Sequence, residues 1–236
     1  MPDILISEIF GPTIQGEGAL AGRLTVFVRT GGCDFRCEWC DTLYAVLPEF
    51  KRDWTRMNAE QIVARIEEHS FGQPTLVTVS GGNPALQPLG ELLDRGHARG
   101  HLFALETQGT KAPEWLGQLD FLTLSPKPPS SRMEFDEVAL RACIETAKGG
   151  RAEISIKVVV FDEADYEFAR LVWRAFPEVP FFLSVGTQPA ARSESNGGGI
   201  TRGVEWLIER AARDGWREAV ILPQIHVLLW GQKRGV

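Results

Sequence analysis

Three of the chain's four cysteines fall within one short stretch, Gly31-Gly32-Cys33-Asp34-Phe35-Arg36-Cys37-Glu38-Trp39-Cys40-Asp41-Thr42. Thiolates are soft ligands that select zinc or iron–sulfur centres. A structural zinc or an ordinary electron-transfer cluster takes four protein ligands. This loop offers three, and the next histidine along the chain, His69, lies well beyond it. A [4Fe–4S] cluster on Cys33, Cys37 and Cys40 leaves one iron open to an outside ligand, as a catalytic metal site requires. A zinc site completed by a distant fourth ligand is the competing reading. Cys143 stands apart in a helix-like stretch and reads as a small buried hydrophobe.

Further polar residues gather where strands end. Val77-Thr78-Val79-Ser80-Gly81-Gly82-Asn83-Pro84 runs from a strand into a glycine pair, and glycines there let backbone carbonyls approach a ligand closely. Asn83 brings an amide without a charge. Leu124-Ser125-Pro126-Lys127 sets a hydroxyl, a rigid turn and a cation at a second strand end. Arg29 ends a third, and its guanidinium fork suits a carboxylate. Lys157 lies mid-strand among Ile154, Ile156, Val158 and Val159, where a lysine either snorkels out or serves a site.

The elements that position these residues follow from hydrophobic patterning. Aliphatic and β-branched runs predict strands at 4–10, 24–30, 76–79, 102–105, 121–124, 154–160, 181–185 and 219–222. Helical periodicity predicts helices at 59–69, 89–99, 136–148, 163–176 and 203–214, the first opened by Asn58 and Gln61 as a capping box. Strand–helix alternation predicts an α/β fold with a parallel sheet covered by helices. About six repeats fit a partial barrel better than the closed eight-fold form, which takes about 250 residues. Arg29, Ser80, Glu106, Ser125 and Gly186 then share the carboxyl rim of the sheet, where such folds bind ligands. The glycine-rich stretch 193–199 reads as a mobile surface loop.

The chain's 236 residues read as a single domain, 1–236, with no composition shift to mark another. A net charge of −6 argues against a broad nucleic-acid surface. No apolar run is long enough to span a membrane, and Met1-Pro2-Asp3-Ile4-Leu5 leads into no signal-like stretch, so a cytoplasmic location is expected.

The spacing C-x3-C-x2-C resembles that of the radical S-adenosylmethionine (SAM) superfamily. The opening Glu8-Ile9-Phe10-Gly11-Pro12-Thr13-Ile14-Gln15-Gly16-Glu17-Gly18 narrows the likeness. Taken with Phe27-Val28-Arg29-Thr30, Cys40-Asp41-Thr42 and Leu105-Glu106-Thr107-Gln108-Gly109-Thr110, it is similar to the 7-carboxy-7-deazaguanine synthase family. The stretch 125–131 and the tail Leu222-Pro223-Gln224-Ile225-His226-Val227-Leu228-Leu229-Trp230-Gly231 match the longer, Bacillus-like form.

The resemblance implies a partial (β/α)6-type barrel and a radical-mediated ring contraction. The substrate would be 6-carboxy-5,6,7,8-tetrahydropterin and the products 7-carboxy-7-deazaguanine and ammonia, on the route to queuosine. It implies a [4Fe–4S] cluster on Cys33, Cys37 and Cys40, SAM and Mg²⁺ as cofactors, a flavodoxin- or ferredoxin-type reductant, and a homodimer. By motif, Trp39, Cys40, Asp41, Gly82, Ser125, Pro126 and Lys127 would contact SAM. Ile14, Gln15, Gly16, Arg29 and Ser80 would contact the pterin, and Thr42 would hold Mg²⁺. Glu17, Asn83 and Glu106 are further site candidates. Two departures stand out. Asn83 replaces the glutamate usual in the Gly-Gly-Glu-Pro motif of radical SAM enzymes. The chain also continues past Trp230-Gly231, which argues against the terminal-carboxylate contact of shorter relatives. The insert 43–57, with Trp54, would serve as a lid or as a docking surface for the electron donor. Two alternatives carry different chemistry: an activase that takes hydrogen from a partner protein's glycine, and a zinc- or cluster-bearing binding module.

Overall fold

A computed structural model describes residues 2–187, 197–231 and 233–236. The strands are β1 (Ile4–Ile14), β2 (Leu24–Thr30), β3 (Thr55–Met57), β4 (Leu76–Gly81), β5 (Leu102–Thr107), β6 (Phe121–Leu124), β7 (Glu153–Val160), β8 (Phe181–Val185) and β9 (Ala219–Leu222). They form one sheet in the order β3-β1-β2-β4-β5-β6-β7-β8-β9. Every neighbouring pair from β2 to β9 is parallel. The helices are α1 (Leu43–Val46), α2 (Ala59–His69), α3 (Gly90–Ala98), α4 (Glu137–Lys148), α5 (Glu163–Ala175), α6 (Gly197–Arg213) and α7 (Ile225–Trp230).

Side chains alternate between the two faces of a strand, and here the faces differ in kind. Val26, Val28, Val77, Val79, Phe103, Leu105, Leu122, Leu124, Ile156, Val158 and Leu183 are all sealed from solvent in the main core, beneath the helices. The alternate positions carry Arg29, Ser80, Glu106, Thr123, Ser155 and Lys157. Arg29 lies beside Ser80, and Thr123 is flanked by Glu106 and Ser155. A parallel strand buried on both faces reads as a continuous apolar run; these alternate because their second face surrounds a polar interior. Asn58 caps α2 with the expected reciprocal bonds to Gln61, both 2.9 Å, and Ile62, Val63 and Ile66 face the core.

Three features depart from the sequence reading. First, the sheet is not wholly parallel: β1 runs antiparallel to both β2 and β3. The connection 15–23 is too short for the crossover that parallel neighbours need. Second, the short polar strand β3 and the helix α7 had no pattern to announce them. Third, of the glycine-rich stretch, 193–196 lies outside the described residues, while 197–199 open α6. The connection 15–23 also folds across the concave face. There Leu20 packs against Leu76, Ala104 and Phe121, and the Arg23 guanidinium lies 4.8 Å from the Phe121 ring centre. This strap plugs the amino-terminal mouth of an open partial barrel. Among the described residues no helix is long and apolar enough to cross a membrane.

Candidate active site

A cavity of about 280 Å³ opens at the carboxyl ends of the parallel strands. Cys33, Cys37 and Cys40 line it, all free and half-buried. Their loop is fastened at its root: Gly31 N–H donates to Leu5 O (2.8 Å), Gly32 N–H to Ala45 O (2.7 Å), and Asn83 N–H to Gly32 O (2.8 Å). Gly82 is required here, because a side chain would run into the Gly32 and Ala45 carbonyls. Cys33 Sγ accepts from Phe35 N–H at 3.4 Å and from Gln108 Nε2 at 3.5 Å. Burial pushes the Cys37 thiol up to about 11 and raises that of Cys33. Iron reverses this, since it binds the thiolate and releases the proton.

Among the described residues no three His, Cys, Asp or Glu side chains are gathered closely enough to hold a single metal ion, the loop cysteines included. A cubic [4Fe–4S] cluster takes its thiolates at separate corners and so spreads them wider than one zinc would. Three soft donors around one cavity, with N–H groups aimed at one sulfur, fit that cluster.

Beside the cysteines lies a packed aromatic pair. Trp39 and Phe161 stand 5.1 Å apart at 43°, and Lys127 Nζ is 5.8 Å from the Trp39 ring centre. Trp39 Nε1 donates to Ser130 Oγ (2.9 Å) and Lys127 Nζ to Ser125 Oγ (3.1 Å). Asp165, fully buried at the start of α5, braces the pair by accepting from Ser130 N–H (2.9 Å) and Phe161 N–H (3.0 Å).

The opposite side is charged. Arg29 Nε donates to Glu8 Oε1 at 2.7 Å, Tyr44 OH to the same oxygen at 2.8 Å, and Arg234 Nε to Glu8 Oε2 at 2.8 Å. Burial alone would raise the Glu8 carboxyl, but Arg234, Arg29 and Tyr44 together hold it below its ordinary range. Deeper in, Lys157 is buried and forms ion pairs with both Glu17 and Glu106. Gln224 donates to Glu17 as well. Burial opposes both charges of the Lys157–Glu17 pair; mutual attraction wins, so Glu17 is held low and Lys157 high. Gln15 Oε1 accepts from Gly16 N–H (2.6 Å) and Glu17 N–H (3.2 Å), which shapes the strap's tip. Ile225 N–H donates to Gly16 O (3.0 Å), and the His226 ring occupies the space that a side chain at Gly16 would need.

Ile14, Gln15, Gly16, Glu17, Arg29, Trp39, Asp41, Thr42, Ser80, Gly82, Glu106, Ser125 and Lys127 thus join the cysteines around one cavity. Two candidates do not. Asn83 is entirely buried and spends its amide on Asp34, Thr110, Thr107 and Ala85; Pro126 borders a separate small pocket. Lys233, Arg234, Gly235 and Val236 line the cavity, so the tail beyond Gly231 returns to the site instead of leaving it. Sequence reasoning missed Glu8, Tyr44, Gln108, His226 and Arg234 as contributors. Glu8 and Gln108 lay inside quoted motifs, whereas nothing local marks Arg234. The insert 43–57 lies along the sheet edge through β3, with Trp54 Nε1 donating to Tyr44 O at 2.8 Å and its ring against Gly31.

Residues 27–125 match the Radical SAM superfamily. The 7-carboxy-7-deazaguanine synthase of Bacillus cereus is 42% identical over 240 residues, covering 100% of both chains. That of Bacillus subtilis is 40% identical over 99% of this chain and 98% of its own. The crystal structure of QueE from Escherichia coli superposes with a TM-score of 0.69 over 95% of each chain at 24% identity, a likeness of fold. The chain belongs to the 7-carboxy-7-deazaguanine synthase family, within the radical SAM superfamily.

Proposed function

We propose that the chain converts 6-carboxy-5,6,7,8-tetrahydropterin to 7-carboxy-7-deazaguanine with release of ammonia, as a radical SAM lyase. The observation that carries this reading is the single cavity that joins a three-cysteine loop to a guanidinium and a buried Glu–Lys–Glu group. Cys33, Cys37 and Cys40 would hold the [4Fe–4S] cluster, which would supply the reducing electron that SAM-dependent radical chemistry requires. Trp39 and Phe161, packed against each other, give an adenine an aromatic surface to lie on, and Lys127 and Ser125 lie beside it. Arg29 meets the substrate carboxylate; its Nε is engaged by Glu8, which aims the guanidinium and leaves the terminal nitrogens to a ligand. Glu17, held ionised by Lys157, and Glu106, ion-paired with the same lysine, present acceptors to the N–H groups of a pterin edge. The strap's tip, Ile14 to Gly16, and Ser80 complete the pterin wall.

Thr42 lines the cavity beside Cys40 and offers Mg²⁺ a hard hydroxyl oxygen. With a carboxylate oxygen of the substrate and waters, it would hold the ion against the reacting ring. The exposed cations Lys51 and Arg52 on the insert 43–57 give an acidic flavodoxin- or ferredoxin-type reductant a docking face. The experiment is anaerobic incubation of the reconstituted protein with SAM, reductant, Mg²⁺ and carboxytetrahydropterin, read by mass. Appearance of the deazaguanine acid is expected; SAM cleavage with the pterin untouched would overturn the reading.

A further inference from the structure

Asp34 follows the first cysteine of the loop and is exposed, yet its carboxylate is saturated by side chains from two other strand ends. Asn83 Nδ2 donates to Asp34 Oδ1 at 2.9 Å, Gln108 Nε2 to the same oxygen at 2.6 Å, and Thr110 Oγ1 to Asp34 Oδ2 at 2.6 Å. Asn83 has no freedom left. Its second amide hydrogen goes to Thr110 Oγ1 (3.1 Å), and its oxygen accepts from Thr107 Oγ1 (2.7 Å) and Ala85 N–H (3.1 Å). Gln108 is buried, and its nitrogen also lies 3.5 Å from Cys33 Sγ. An amide nitrogen carries two hydrogens, one for each of these acceptors. A carboxylate at position 83 would face that of Asp34 at contact distance, and like charges so placed cannot both ionise.

We propose that Asp34 is the positioning residue of the cluster loop. It supplies the negative charge that the Gly-Gly-Asn-Pro turn itself lacks, and it holds Gln108 so that the second amide hydrogen reaches the Cys33 sulfur. Asn83 and Gln108 share one oxygen of Asp34, so the two contacts separate on exchange. With the carboxylate at position 83 and the amide at position 34, the amide nitrogen remakes the 34–83 bond, while Gln108 loses the oxygen it donated to. The N–H aimed at sulfur withdraws electron density from the cluster and raises its reduction potential.

The test uses the full-length, anaerobically reconstituted protein and reads the rate at which an iron chelator strips the cluster. Asn83→Asp is expected to lose iron about tenfold faster than the parent, and the double variant Asp34→Asn/Asn83→Asp to recover part of that loss through the remade 34–83 bond, the signature of a coupled pair. Parental kinetics in Asn83→Asp, or a double variant as fast as its two single changes combined, overturns the pairing. Should Asn83→Asp not fold, Asp34→Ala at the exposed position provides the same measurement: faster loss supports the latch, and an unchanged rate overturns it. The Gln108 arm is read by an EPR-monitored redox titration. Gln108→Leu, or the shorter amide in Gln108→Asn, should retain iron and shift the midpoint to lower potential. A fully loaded cluster with an unmoved midpoint excludes the sulfur contact.

Discussion

Lys157 is 1% exposed and held between two carboxylates. Breaking a buried pair by removing one partner is costly, because the remaining charge loses its compensation. Lys157→Met therefore should destabilise the protein by about 3–5 kcal/mol in chemical denaturation, and pterin binding should go with it. The same group sets a pH dependence. Glu17 starts from an ordinary value of 4.5 and is held low in the folded chain, so its contribution is complete above that pH and disappears as acid drives the folded carboxylate to protonate. Urea midpoints measured from about pH 5 downward should fall more steeply for the parent than for Glu17→Gln. A parallel fall would remove the carboxylate from the acid response. Lys157 acts at the opposite end: its raised value gives stability that is present below 10.5 and fades only in stronger alkali. At Arg29, loss of a charge-assisted contact is worth about 1.5–3 kcal/mol. Arg29→Ala should thus weaken pterin binding by about tenfold or more while leaving uncoupled SAM cleavage in place. Loss of that cleavage with the cluster intact would contradict the carboxylate role.

Among the elements, the strap between β1 and β2 has two jobs, and one short segment couples them. Its 3₁₀ turn, Gly18–Leu20, seats Leu20 against Leu76, Ala104 and Phe121 at the closed end of the barrel. Its tip carries Gln15, Gly16 and Glu17 into the cavity and receives the carboxyl-terminal segment through the Ile225 amide. Leu20→Ala removes most of the plug's apolar contact and should cost about 2–5 kcal/mol, seen as a lower thermal midpoint. Because Glu17 lies on the same strap, weaker pterin binding should accompany it, with iron content unchanged. If stability falls and pterin affinity does not, the strap's two ends are mechanically independent. The loop after β6 shows the same economy: buried Asp165 ties Ser130 and Phe161 together, so two segments distant in sequence support one aromatic surface.

At the scale of the whole molecule, all the chemistry lies on one rim, and the chain reaches it by several routes. The β1–β2 strap, the cluster loop, the ends of β4 to β7 and the returning tail each contribute residues to the cavity. Cys143 is excluded: it is sealed on the buried face of α4 with its thiol donating to Lys111 O at 3.1 Å. Single alanine substitutions at Cys33, Cys37 or Cys40 should abolish the cluster's visible absorption and most bound iron after anaerobic reconstitution. Cys143→Ala should leave both unchanged, while the thermal midpoint falls modestly for the small void. Iron retained after loss of any one loop cysteine would point to a ligand from elsewhere in the chain.

Local information was enough for the parts of this protein that depend on neighbours in sequence. The C-x3-C-x2-C spacing placed three sulfurs on one loop, the capping box at Asn58 located α2, and alternating Val26/Val28 and Val77/Val79 located two central strands. Arg29 and Ser80, at the ends of those strands, could be placed on the carboxyl rim where such folds bind ligands, and both line the cavity. Only the tertiary structure decided the partners. Glu8 joins Arg29 and Arg234 from opposite ends of the chain, Lys157 answers Glu17 and Glu106, and Asp34 captures Asn83 and Gln108. None of these pairings leaves a period or a motif, since each is set by which strand ends the barrel brings together. A sequence specifies its own periodicities directly; it specifies the compensation of buried charge only through the fold that buries them.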